Sequence, residues 1–233
     1  MRKEIEENKN KMKIIKKTQN TEKPKKRENL STEEKVMAAA LNEFALHGYA
    51  GARVDRIADK AKVNKAMIYY HFKSKEKLYE RIIKDVFDII YQKVSESIVA
   101  EGEPTEALYA IIKDYIVILD SFSINIFQVI MREIAGGGNI FKKTALPIVS
   151  ETIFPVVKQL IESAVKSKKL REVNPYYTFF QVVGAIIFFN ILRIIMKGED
   201  LEKIVFKENY LNEYCDNLFK ILKHGLELED QKI

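Results

Sequence analysis

The 233-residue chain has a single cysteine, Cys215, no tryptophan, three histidines, five prolines and nine glycines. One cysteine excludes an intramolecular disulfide and every multi-cysteine metal site, and it suits a reducing cytoplasm. No metal site or cofactor motif is expected. Three histidines (His47, His71, His224), with no paired-carboxylate or nucleophile-elbow pattern, argue against an enzyme. The charged opening residues lack the apolar core of a secretory signal. Few helix breakers in a chain 47 % hydrophobic, rich in Lys, Glu, Leu, Ile and Ala, predict an all-α protein with a proper core.

What is present is positive charge in one place. Residues 1–29 hold eleven Lys/Arg against five Glu, which accounts for the whole net charge of +6. They read as a flexible basic arm. Within the balanced remainder, residues 53–81 carry nine basic side chains against Asp55, Asp59, Glu76 and Glu80. Such a concentration can attract phosphates, and it can equally be a solvated helical face.

Folded structure is expected from Leu30. Ser31 followed by Glu34 forms a capping-box pattern, Val36, Ala40, Leu41 and Phe44 recur at helical spacing, and Gly48 supplies a positive-φ stop. Two short helices follow, Val54–Ala61 and Lys65–His71, separated only by Lys62-Val63-Asn64. Ser74 caps a long fourth helix with Leu78, Ile82, Val86, Ile89 and Ile90 on one face. Further helices are predicted near 105–120, 124–135, 146–168, 175–197 and 201–225. The breaks fall at Gly136-Gly137-Gly138, Pro147, Pro155, Asn174-Pro175 and Gly198. Between Val173 and Leu192 no residue is charged, a length borderline for a membrane span. Gln181, Asn190 and Arg193, and the lack of a second such stretch, favour a buried oligomer interface instead.

Two short helices crossing steeply need a small residue where they meet, and Ala58 is placed there over a miniature core of Ile57, Ala61, Val63 and Ile68. Asn64 is suited to cap the third helix and leave its first turn facing outward, where side chains can reach base edges in a major groove. From Val36 to Leu78 the chain resembles the TetR family of bacterial transcriptional regulators. The resemblance is carried by Phe44, Gly48-Tyr49, Ile57-Ala58, Ala61, Val63 and above all Ile68-Tyr69-Tyr70-His71-Phe72-Lys73-Ser74-Lys75-Glu76. Two departures stand out. Lys62 occupies a turn position where the family usually has Gly, and Ala52-Arg53 precede the second helix where it favours Thr or Ser.

The resemblance implies a three-helix helix-turn-helix domain over 30–76 and a helical effector-binding and dimerisation domain over 77–233. It implies a cytoplasmic, non-membrane homodimeric repressor that binds a pseudo-palindrome of double-stranded DNA and is released by a small, largely apolar effector. A nucleoid-associated or cell-division factor on the same fold is the alternative. The expected DNA-binding residues are Arg53, Asn64, Lys65, Ala66, Tyr69, Tyr70, His71 and Lys75. Among them Lys65 faces a guanine edge or phosphate, Ala66 a thymine methyl, and Tyr70, Arg53 and Lys75 phosphates. Asn64 serves chiefly as a cap, Tyr69 is partly packed, and His71 is neutral or a phosphate contact. Phe87, Tyr91, Tyr109, Tyr115, Phe127 and Met131 are the effector-pocket residues. Phe179, Val182, Val183, Ile186 and Phe189 form the dimer contact, with Gly184-Ala185 allowing close approach.

Overall fold

A computed structural model describes residues 30–100 and 103–226, so the basic arm lies outside the described residues. Eleven α-helices follow in order among the described residues: α1 (Thr32–Gly51), α2 (Val54–Ala61), α3 (Lys65–Phe72), α4 (Lys75–Ala100), α5 (Pro104–Ser121), α6 (Ile124–Ala135), α7 (Asn139–Pro147), α8 (Phe154–Lys166), α9 (Pro175–Ile195), α10 (Asp200–Val205) and α11 (Tyr210–Leu226). A π-helical stretch, Ile148–Ile153, joins α7 to α8. They form two compact units. The first comprises residues up to Ile89 with Ser121–Ile148, and the second Ile90–Asp120 with Val149 onward.

The helix starts follow from their caps. The Ser31 hydroxyl accepts from the Glu34 N–H while the Glu34 carboxylate accepts from the Ser31 N–H at 2.7 Å, the reciprocal arrangement that the sequence predicts. Asn64 accepts from the Ala66 N–H at 2.8 Å, and Ser74 from the Lys77 N–H at 3.1 Å. Gly48 takes a positive φ of 67° and interrupts the helical geometry there, so that α1 kinks before a last short turn to Gly51.

In the first unit Val36, Ala40, Phe44, Ile57, Ile68, Leu78 and Ile83 are essentially fully buried. The Phe44 ring meets Tyr79 edge-on at 4.8 Å. Ala58 is buried where α2 meets its neighbours, as its size requires, whereas Val63 is only half-buried. α6 lies against α1. The Glu133 carboxylate on α6 accepts from the N–H groups of Ile140 and Phe141 at 2.7 and 3.2 Å and so caps α7.

In the second unit Ile111, Ile116, Val157, Ile161, Ala164 and Ile186 supply the core, and α8 packs on α9. Arg193 of α9 pairs with Asp120 at 3.0 Å, both largely buried, and the Tyr210 hydroxyl donates to the same carboxylate oxygen.

Three expectations change. Pro147 and Pro155 do not interrupt the helical run, although α7 ends at Pro147 and α8 begins at Phe154. Pro155 sits in the first turn of α8, where its missing N–H costs no bond, and the wider π-helical turns fill the space between the two prolines. The stretch 201–225 is two helices, because the backbone leaves helical geometry at Phe206 (φ −107°, ψ 54°). Finally, two runs rather than one, Asn139–Lys166 and Pro175–Ile195, reach the length and composition of a membrane span.

Lys62 is left-handed (φ 56°, ψ 45°), the conformation its place in a three-residue turn demands. A side chain there costs about 1–2 kcal/mol, part of which glycine would lose again through its freer unfolded chain. Lys62→Gly is therefore expected to raise stability by about 1 kcal/mol, read as a higher urea midpoint with an unchanged slope. A lower midpoint would refute the strain.

Candidate nucleic-acid interface

The site is built from three helices. α1 and α2 form the base on which α3 rests, with Ile68 and Phe72 of α3 buried against them. Because those two residues lie four apart, they define one inward stripe, and the rest of the helix must face away. Asn64, Lys65, Ala66, Met67, Tyr69, Tyr70 and His71 are all exposed, Tyr70 at 70 % and Tyr69 at 42 %. The structure thus brings six of the eight expected residues onto one short uncovered helix. Tyr69, expected to be partly packed, is open enough to act.

Arg53 stands at the N-terminal end of α2, exposed, and its side chain makes no cap hydrogen bond. Lys75 is placed differently. Its ammonium donates to the carbonyls of Tyr49 and Ala52 at 2.9 and 3.2 Å and lies 4.6 Å above the Tyr49 ring. It ties the end of α1 to the start of α4 and points into the domain.

The cap that Arg53 does not provide comes from elsewhere. Glu43, fully buried on α1, accepts from the Arg53 N–H at 3.3 Å, from Arg56 Nε at 2.5 Å and from Lys60 Nζ at 3.0 Å. Burial pushes its carboxyl up, but the hydrogen bonds from Lys60, Arg56 and the Arg53 N–H outweigh this and hold it below the usual carboxylate range. Sequence reasoning missed this residue. The signal was an acidic side chain seven positions after Val36, on the inward stripe of α1, with two basic residues spaced i, i+4 in the next helix.

The charge of the segment is largely spent internally. Arg56 and Lys60 serve Glu43, Lys65 pairs with Asp55 at 2.7 Å, and Lys77 and Lys143 both hold Glu80. Lys73 donates to its own Tyr70 carbonyl at 3.0 Å. Lys73 also carries a positive φ of 66°, with the Ser74 N–H reaching back to the Phe72 carbonyl in a tight three-residue turn. Lys73 and Lys75 are held by carbonyl oxygens, and Arg53 and Lys62 are left with neither an ion pair nor a side-chain hydrogen bond among the described residues.

The other expected residues fall as follows. Of the pocket set, Phe87, Phe127 and Met131 belong to the first unit, and Tyr91, Tyr109 and Tyr115 to the second. Phe87 meets Phe141 at 5.4 Å and Tyr109 meets Phe219 at 5.3 Å, both edge-on, while Phe127 is buried. Tyr91 is exposed. Tyr115 is half-buried, and its surroundings push its hydroxyl pKa far up by desolvation.

On α9 the expected dimer residues are engaged to different degrees within their own chain. Ile186 is fully buried, Phe179 meets Phe154 at 5.4 Å, and Phe189 stacks on Tyr214 at 3.7 Å; Val182 and Val183 are half-buried. The apolar residues left to solvent on this helix are Tyr176, Tyr177, Phe180, Phe188 and Ile195, with Gly184 and Ala185 exposed between them. A nearly uniform apolar helix carries no sequence signal of which side turns inward.

Residues 36–82 match the family model of bacterial regulatory proteins of the TetR family, in its N-terminal domain. The transcriptional repressor NicS of Pseudomonas putida is 34 % identical over 89 residues, 37 % of this chain and 42 % of its own length. IcaR of Staphylococcus aureus, the negative transcriptional regulator of the biofilm operon icaADBC, is 31 % identical over 83 residues, 36 % and 45 % respectively. The chain therefore spans less than half the length of these curated relatives. Among solved structures, a proposed fatty acid metabolism regulator of Clostridium perfringens superposes with a TM-score of 0.70 at 25 % identity, covering 84 % of this chain and all of that one. FadR of Bacillus subtilis, solved with stearoyl-CoA, gives 0.64 at 17 % identity over 81 % and 96 %, which speaks for the fold alone.

Proposed function

We propose, from the match of residues 36–82 to the TetR family model, that this chain is a transcriptional repressor that binds a pseudo-palindromic operator as a homodimer. The observation that carries this reading is the uncovered face of α3, which presents Asn64, Lys65, Ala66, Tyr69, Tyr70 and His71 outward. A helix of this size fits a major groove, and its free N-terminal N–H groups favour phosphate. Arg53 and Lys62, unpaired beside it, supply charge for the backbone. One such helix reads too few base pairs to find an operator. Two copies, paired through α9, place two recognition helices a helical turn or a multiple of it apart.

A small, largely apolar effector releases the DNA, and the aromatic side chains of the helical body suit such a ligand. Since α4 runs unbroken from Lys75 to Ala100, displacement of its far end reaches the DNA-binding helices directly. The effector needs a preference of a few kcal/mol for the released state, no more. The working compartment is the cytoplasm, where operator DNA is found.

Operator duplexes selected from a random pool test the reading. Arg53→Ala, Lys65→Ala and Tyr70→Ala combined should weaken binding about a hundredfold in a band shift, the product of three modest contacts. Unchanged affinity would remove α3 from the interface.

A further inference from the structure

We infer that Asp55 and Lys65 act as one unit that reads a single guanine–cytosine pair. This rests on the DNA-binding reading above. Lys65 is the first residue of α3 and Asp55 the second of α2, and their contact sets the leading turns of the two helices side by side. The Lys65 Nζ and Asp55 Oδ1 atoms are 2.7 Å apart, and both side chains are open to solvent, at 46 % and 69 %. An exposed ion pair of this kind adds little to stability, so folding gives no reason for it to stand at this end of the recognition helix.

Its geometry matches one base-pair edge. In the major groove guanine offers two acceptors, O6 and N7, and cytosine one donor, the N4 amine. O6 and N4 are bonded to each other within the pair, so they lie at ordinary hydrogen-bond distance, about 2.9 Å. Nζ and Oδ1 offer a donor and an acceptor at nearly that spacing. An ammonium has three protons: one goes to Asp55, leaving two for O6 and N7. The carboxylate keeps lone pairs free for the cytosine amine. A thymine–adenine pair presents the same order of acceptor and donor but no N7 beside the keto oxygen, and it adds a methyl group. The reversed pairs set an acceptor against Asp55 and a donor against Lys65. Because the two charges cancel, the unit enters the groove without net attraction to phosphate. It contributes discrimination, while affinity comes from other cations.

The test selects duplexes from a random pool with the full chain, as wild type and as Asp55→Ala. Asp55 is mostly exposed, and the variant should melt as the wild type does. The wild-type consensus should fix guanine at one position per half-site. Replacing that guanine–cytosine pair by adenine–thymine should weaken wild-type binding about tenfold. Asp55→Ala should reduce this preference to about threefold, since Lys65 keeps its bonds to guanine while the cytosine amine loses its acceptor. Retention of the tenfold preference by the variant overturns the inference. So does a uniform gain in affinity for every duplex, which would make Asp55 merely repulsive. If the wild type enriches no sequence at all, the DNA-binding reading itself falls.

Discussion

Glu43→Gln should destabilise the first unit by about 2 kcal/mol, the cost of taking the charge from a buried acceptor of three donors. The full penalty for breaking a buried pair does not apply, because Arg56 and Lys60 are 38 % and 40 % exposed and water takes over part of their solvation. The effect is also pH-dependent, and its sign is fixed. The folded carboxyl is held below its ordinary value, so its contribution is complete above the usual carboxylate range and fades as pH falls through the lowered value. Wild-type Tm should therefore drop more steeply than that of the variant on acidification below about pH 4.5. Equal slopes would show that Glu43 is not ionised in the fold. Since the Glu43 carboxylate also accepts from the N–H at the head of α2, DNA affinity should fall with stability, whereas a purely electrostatic role in binding would raise it.

Phe188→Glu together with Phe180→Glu should convert a dimer into a 27.1 kDa monomer and reduce operator affinity by about two orders of magnitude or more, since a half-site alone remains. Both rings are more than half exposed on α9, and in a two-fold interface each substitution enters twice. Four carboxylates placed against an apolar partner face would cost several kcal/mol. Light scattering coupled to gel filtration reads the mass directly. A double variant that stays dimeric places the interface elsewhere on the chain.

How legible the site was differs residue by residue. Ser31, Asn64 and Ser74 were readable as caps because capping is local: a short polar side chain reaches an N–H two or three residues on. The outward set on α3 was readable because Ile68 and Phe72 are spaced to bury one side and leave the other. The inward side of α9 was not, because Phe179 and Phe180 are chemically alike, and only packing against Phe154 and Tyr214 tells Phe179 and Phe189 from Phe180 and Phe188. Lys75 shows the same limit. A lysine at a helix start suits a phosphate and suits the carbonyls of Tyr49 and Ala52 equally well, and position in space chose the latter.

Sequence alone determined the helical class and the helix-turn-helix with its resemblance to the TetR family, since periodicity, caps and turn residues act over a few neighbours. Which cations remain for a ligand was decided by the tertiary structure. Nine basic residues between 53 and 81 look alike on paper, but carboxylates brought in from α1, α2 and α4 neutralise most of them. Charge is a property of composition, whereas free charge depends on which opposite groups the fold brings within about 4 Å.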